Sequence, residues 1–151
     1  MTISYKVIML IARKAKDAKD NNEMLNILKQ NYIDCNIENS SLSYIIEEDN
    51  NIIGGCNFYF IKDNAVINFL VIDKNKTGEK IGDGLLRAVL NYCLINGIKN
   101  AYFLGNNQYF IKKGFREERE FNKDVFEKTD KKSDTVLVCN IEKFLSKKCC
   151  P

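Results

Sequence analysis

The chain contains no histidine. That absence removes Ser-His-Asp and Cys-His catalysis and any His-ligated metal site, leaving carboxylates, Tyr, Cys, Lys and backbone dipoles to carry chemistry. Tryptophan is absent too, and the single proline is the last residue, Pro151. Arginine is scarce, four residues against 19 lysines, and the net charge is only +3 because acids are interleaved with the bases. A nucleic-acid surface gathers positive charge into a stripe with base-reading arginines, so no nucleic-acid partner is expected. Among the six cysteines no two form a CxxC pair, and neither zinc nor any other metal is expected. The apolar stretch Val7–Ala12 is too short for an export signal or a membrane span. No membrane association is expected, and the thiols should be reduced in a cytoplasmic setting.

What is present fits one domain of 151 residues, with 45% apolar and 28% charged residues. At that length folding removes roughly 70% of the unfolded surface from water, enough for a real core. Ile, Asn and Lys together exceed a third of the chain, a skew typical of AT-rich coding, so Lys and Asn counts carry little functional weight.

Lys6–Ala12 reads as a first strand, and Asp20 as the cap of a helix to about Asn31, with Glu23 completing a capping box. Met24, Leu25, Leu28 and Tyr32 share one face of that helix. Leu42–Glu48, Ile52–Ile61 and Ala65–Ile72 then form an antiparallel meander joined by short polar turns. Gly54-Gly55 inside the second of these signals a bulge or a close backbone approach. A helix follows from about Gly82 to Asn96, with Leu85, Leu86, Val89, Leu90, Cys93 and Leu94 on its apolar face and Gly97 at its left-handed end. Ala101–Leu104 reads as a strand parallel to Ala65–Ile72, Asn107–Lys113 as a short helix stopped by Gly114, and Thr135–Ile141 as a last strand. The charged stretch Arg116–Lys132 reads as a solvated face. Cys56 and Cys93 read as core. The expected fold is a single-domain α/β (α+β) protein, residues 1–146, with a mixed and mostly antiparallel sheet, one central parallel βαβ unit and flanking helices. Residues 147–151 form a tail that carries Cys149 and Cys150.

The chemistry concentrates in Asn68–Gly84, NFLVIDKNKTGEKIGDG, where a strand enters a glycine-bearing turn and then a helix start. Gly78, Gly82 and Gly84 leave backbone amides unshielded, and the first amides of a helix have no internal partner. With the helix dipole they make an anion site, and Lys74, Lys76 and Lys80 add positive charge. The Walker loop is excluded because Gly-Lys-Ser/Thr is missing. The dinucleotide fingerprint is excluded because Arg87 stands where its third glycine belongs.

From about Glu47 to Phe115 the sequence instead resembles the GNAT superfamily of acyl-CoA-dependent N-acetyltransferases. Ile52–Phe60, IIGGCNFYF, is similar to the third strand of that fold, and Ala65–Ile72, AVINFLVI, to the fourth, whose splayed end holds pantetheine. Thr77–Leu86, TGEKIGDGLL, resembles the pyrophosphate loop, and Tyr109–Phe115, YFIKKGF, the late aromatic segment. A Tyr-Phe pair there resembles the N-acetylglutamate-synthase-like branch.

The resemblance implies acetyl-CoA as acyl donor. Backbone groups of Leu70, Val71 and Ile72 would hold the thioester and pantetheine. Amides of Thr77, Gly78, Glu79, Lys80, Ile81 and Gly82, with Asp83 and Gly84, would hold the pyrophosphate, and Asn106 or Asn107 would reach the sulfur side. Thr77 and Lys80 depart from the usual Arg/Gln and Gly. Asn68 stands where many members carry a glutamate base, and Phe110 where they carry a tyrosine acid. The candidate catalytic residues are therefore Tyr109 as acid, Glu47 (or Glu48) through a water, and Asn68. The expected activity is transfer of an acetyl group to the primary amine of a small or amino-acid-like acceptor in a ternary complex. The alternative is a module that binds acyl-CoA without turnover, as a sensor. Homodimers are common in the family, although no residue here argues for one.

Overall fold

The computed structural model describes residues 9–76, 78–119 and 135–147. Residues 6–8 of the expected first strand, Thr77, the Glu79 side chain, residues 120–132 of the charged stretch, and Cys149 and Cys150 lie outside that description. The elements are β1 (Leu10–Lys14), α1 (Ala18–Gln30), β2 (Leu42–Glu48), β3 (Asn51–Ile61), β4 (Asn64–Ile72), α2 (Glu79–Ile95), β5 (Asn100–Leu104), α3 (Gln108–Lys112), β6 (Arg116–Glu117), β7 (Val136–Asn140) and α4 (Ile141–Ser146). One sheet holds all seven described strands in the order β1-β2-β3-β4-β5-β7-β6. The only parallel pair among them is β4–β5, joined by α2 as the crossover requires.

Helix α2 lies on one face of the sheet and α1 on the other. Leu85, Leu86, Val89, Leu90 and Cys93 are fully buried against Cys56, Phe58 and Ile67. Leu94 differs from expectation at 39% exposure. Each four-residue step along a helix turns the side chain by about 40°, so the row Leu86, Leu90, Leu94 leaves the sheet by its third member. The helix closes with the amides of Gly97 (φ +80°) and Ile98 donating to the carbonyls of Leu94 and Cys93, at 3.0 Å each. On the other face, Met24, Ile27 and Leu28 of α1 pack on Ile45, Phe69 and Val71.

Two expectations for α1 need correction. Its cap is Asp17, which accepts from the Asp20 amide at 3.0 Å. Asp20 is buried instead, with both oxygens on Arg13 at 2.8 and 3.0 Å and the Lys16 amide at 2.9 Å. Tyr32, placed on the apolar face from its spacing, is 91% exposed because it is the left-handed residue (φ +57°) that ends the helix.

Arg13 also pairs with Glu47 at 2.7 Å, so one guanidinium ties β1, β2 and α1 together. The hydrogen bond from Arg13 is the main cause holding the Asp20 carboxyl below its ordinary value, and burial opposes it. Because the folded value is lowered, this contribution is complete above the unfolded pKa of about 3.9 and is lost as pH falls through the folded value. Thermal melts from pH 7 to pH 2 should show wild-type Tm falling below about pH 4. Asp20→Asn should melt lower at pH 7 and lose much less on acidification, and parallel curves would remove Asp20 from the acid transition.

The site is built by an irregularity in β4. Asn57 pairs with Phe69 and Phe58 with Ile67, leaving Asn68 as an extra residue, a β-bulge. An added residue reverses which face every later side chain occupies. Ala65 and Ile67 accordingly face the α2 core, whereas Phe69 and Val71 face α1, and Leu70 and Ile72 return to the α2 side. Asn57, 0% exposed, supports the bulge. Its Oδ1 accepts from Asn68 Nδ2 at 2.7 Å, and its Nδ2 donates to Ser41 Oγ, Ser43 Oγ and the Leu42 carbonyl at 2.9–3.1 Å.

Candidate functional site

The parallel ladder between β4 and β5 ends at Ile67–Phe103, yet β4 runs on to Ile72. Beyond the bulge the two strands splay. Along Phe69–Ile72 no β5 ladder partner is present among the described residues, and the Ile72 carbonyl accepts from Asn31 Nδ2 at 3.3 Å. In that opening lies a cleft of about 340 Å³ lined by Leu70 and Ile72 of β4, Gly78 and Gly82 of α2, and Asn107, Tyr109 and Phe110 of the α3 segment.

At one end of the cleft α2 begins, three residues earlier than its spacing suggests. Its cap is Gly78 (φ +121°), a residue with no side chain to offer the first turn. Helix geometry leaves the amides of Gly78, Glu79, Lys80 and Ile81 without intrahelical acceptors, which makes them the natural anion donors. Gly82, Asp83 and Gly84 fall inside the helix, where amides serve the ladder. Gly82 contributes an absence: a Cβ there would stand 3.2 Å from Tyr109 Oη. Gly84 is exposed, with nothing within 4 Å of where its Cβ would be.

The opposite wall is α3. Asn107 caps it by accepting from the amides of Tyr109 (2.9 Å) and Phe110 (3.3 Å), so its side chain is already engaged while its residue lines the cleft. Asn106 is exposed and does not line it. Phe110 is buried against Phe103 and Phe115, with ring centroids 4.7 and 4.9 Å away. Tyr109 donates to Asp83 Oδ1 at 2.9 Å, and Lys113 reaches Asp83 Oδ2 at 2.9 Å.

The structure thus brings Leu70, Ile72, Gly78, Gly82, Asn107 and Tyr109 to one cleft. Val71 does not line the cleft: its carbonyl lies against Gly54 of β3 and its side chain is buried toward α1. Lys80 is exposed on the first turn of α2. Of the other lysines expected near the anion site, Lys76 pairs with Glu48 at 2.6 Å and Lys74 lies over the Tyr32 ring at 5.8 Å. Both candidate carboxylates are therefore ion-paired, Glu47 to Arg13 and Glu48 to Lys76. Glu47 and Asn68 sit on the α1 side of the sheet, outside the cleft lining. Cys56 and Cys93 are core as expected, 0% exposed; burial pushes both thiols up, Cys93 to about 12, which keeps them protonated. Asp83 and Lys113 as partners of Tyr109 were not foreseen. The available signal was Lys113 four residues after Tyr109, on one helical face.

A second cleft, about 510 Å³, opens on the α1 side. Lys14, Asn21, Asn36, Glu38, Asn39, Ser41 and Ser43 supply its polar lining. Ser41 and Ser43 are the residues that hold Asn57, so this cleft connects by hydrogen bonds to Asn68 at the bulge.

The profile of the acetyltransferase (GNAT) family matches residues 8–115. The chain belongs to the GNAT acetyltransferase family. Solved structures agree on the fold. A GNAT acetyltransferase of Staphylococcus aureus Mu50 superposes with a TM-score of 0.65 at 21% identity, covering 89% of this chain and 99% of its own. Tetrahymena GCN5 gives 0.69 at 23% identity, over 82% and 87% of the two chains. The N-acetylglutamate synthase of Neisseria gonorrhoeae, crystallised with coenzyme A and N-acetylglutamate, gives 0.70 at 17% identity. That superposition covers 90% of this chain and 36% of the synthase, so the synthase branch is one neighbour among many. No curated protein matches this GNAT chain by sequence. Among the described residues no helix is long and apolar enough to cross a membrane.

Proposed function

We propose that the protein binds acetyl-CoA in the β4–β5 cleft and transfers its acetyl group to the primary amine of a small molecule by direct attack in a ternary complex. The observation that carries this reading is the combination of an α2 amino end capped by a glycine, a glycine wall and a stretch of β4 that runs on past its ladder with β5, all around one cleft. An anion suits the first, a narrow chain suits the second, and an extended amide-bearing arm can add to the third. In this assignment the amides of Gly78–Ile81 take the pyrophosphate, and the edge Asn68–Ile72 takes pantetheine and the thioester oxygen.

The chemistry then needs positioning more than side-chain acids and bases. The amine lone pair attacks the thioester carbonyl carbon, forming C–N, and a β4 backbone amide stabilises the oxyanion. Collapse breaks C–S, the nitrogen gives its proton to solvent water, and the departing thiolate takes one up. With Glu47 and Glu48 both ion-paired, the amine arrives already neutral. Thiolate is a good leaving group and asks little of an acid. Tyr109, the hydroxyl in the cleft wall, takes that part by leaving Asp83. Buried, protonated thiols at Cys56 and Cys93 are poor nucleophiles, which also favours direct transfer over a covalent intermediate. The acceptor approaches from the α1 side, where the second cleft has the volume for a small molecule and a lining of amides and hydroxyls with one lysine and one glutamate.

Calorimetric titration with acetyl-CoA, followed by thiol release with an amine panel, tests this. Saturable micromolar binding, roughly −8 kcal/mol, is expected, and no binding overturns the reading. Tyr109→Phe should lower kcat by about tenfold and change acetyl-CoA affinity much less, because Phe keeps the ring in the wall while losing the proton and its anchor on Asp83. A wild-type kcat would reduce Tyr109 to packing. The pairing of both glutamates also favours a second reading, a domain that binds acyl-CoA without turnover. Thiol release with any amine eliminates it.

A further inference from the structure

We propose that Lys113 is a charge-masking residue of the acyl-CoA cleft. By neutralising Asp83 it lets a polyanionic ligand reach the amino end of α2 while Asp83 anchors the Tyr109 wall. The inference rests on the acyl-CoA reading above.

A carboxylate at position 83 is out of place for an anion site. It stands about 6 Å along the α2 axis from Glu79, the first helical residue. That is within the ~8 Å over which charges act on one another at physiological salt. An unmasked carboxylate there would oppose the dipole and the free amides that attract a pyrophosphate. Its reason for being there is Tyr109, whose hydroxyl it accepts at 2.9 Å. This contact fixes the ring against Gly82 and gives the cleft its second wall.

The cost to anion binding is removed from the same helix that supplies the tyrosine. Lys113 lies four residues after Tyr109, one turn along α3. Its ammonium meets the other carboxylate oxygen at 2.9 Å and lies 5.6 Å from the centre of the Tyr109 ring. Lys113 is the more enclosed of the pair, its side chain 15% exposed against 37% for Asp83. Both carboxylate oxygens thus have a donor, and Lys113 sets a positive charge directly against the Asp83 carboxylate. Lys113 acts through Asp83 and need not touch the ligand, which makes it a positioning residue and not a catalytic one.

The test is acetyl-CoA calorimetry on the full chain for wild type, Lys113→Met, Asp83→Asn and the double variant, each first checked by thermal melt. Lys113→Met should bind about tenfold more weakly, and added salt should narrow that gap. Asp83→Asn keeps an acceptor for Tyr109 without the charge and should stay within about threefold of wild type. The double variant should recover the affinity of Asp83→Asn. That rescue separates masking from support, because loss of a merely structural ion pair leaves the double variant as weak as Lys113→Met. Lys113→Gln serves if the Met variant does not fold. If wild type binds no acetyl-CoA, the acyl-CoA reading falls. If wild type binds but Lys113→Met binds as tightly, or the double variant stays weak, masking is wrong and the acyl-CoA reading stands.

Discussion

Gly82→Glu should cost the protein at least about a hundredfold in acetyl-CoA affinity, about 2.7 kcal/mol, with a much smaller effect on thermal stability. The two effects separate because position 82 has different meanings for helix and cleft. For the helix, replacing an interior glycine by glutamate improves propensity by roughly half a kcal/mol, and a carboxylate in the first turns suits the dipole. For the cleft, the new Cβ would stand 3.2 Å from Tyr109 Oη and 3.6 Å from its Cζ, so the ring must shift. The side chain beyond it enters a cleft of about 340 Å³ and places a second carboxylate beside Asp83. Lys113 is already engaged by Asp83, and the added carboxylate opposes the pyrophosphate directly. Asn91→Glu, which adds the same charge at an exposed position on α2, controls for net charge and should bind as wild type does. Equal affinities for Gly82→Glu and wild type would move the anion site away from α2.

How much of this was readable beforehand depends on the range of the interaction. The meander, the α2 crossover and Gly97 follow from local periodicity and from one residue's freedom at positive φ, and all are present. The motif that resembles the pyrophosphate loop lies at a helix start beside a cleft. Its register was misread, however, because Glu79, Lys80 and Ile81 are compatible with turn or helix and only the chain's path decides.

Two kinds of feature could not be read. The bulge at Asn68 is one: AVINFLVI alternates well enough to pass for a regular strand, and it is Asn57, eleven residues back, that receives the extra residue's side chain. Charge pairing is the other. Asp20 looked like a cap because Asp begins helices, but Arg13 on the neighbouring strand claims it. Glu47 and Glu48 looked like free carboxylates at a strand end, and partners 34 and 28 residues away claim both.

The second large effect falls on the fold. Gly54→Ala should destabilise the protein by about 3 kcal/mol, lowering Tm by about 10 °C, although strand propensity alone favours alanine over glycine. An added Cβ would lie 2.6 Å from Ile72 Cδ1, 3.0 Å from Ile46 Cγ2 and 2.8 Å from the Val71 carbonyl oxygen. The first two are tips of side chains that can turn away. The carbonyl cannot, since it belongs to β4 where Gly54 pairs with Ile72 and Gly55 with Val71. Relief therefore requires the end of β4 to move away from β3. Gly55 is similarly closed on the other face, where a Cβ would lie 2.7 Å from Met24 Cγ, so β3 is held between α1 and β4 and has little room to yield. The moving segment is Leu70–Ile72, which carries the edge assigned to the thioester. The same substitution should then weaken acetyl-CoA binding at temperatures where the protein is still fully folded. A variant that loses stability and keeps full affinity would show that β4 relaxes without disturbing its cleft edge, and pantetheine would need another partner. A variant more stable than wild type would mean that β3 and β4 leave room for a Cβ at Gly54.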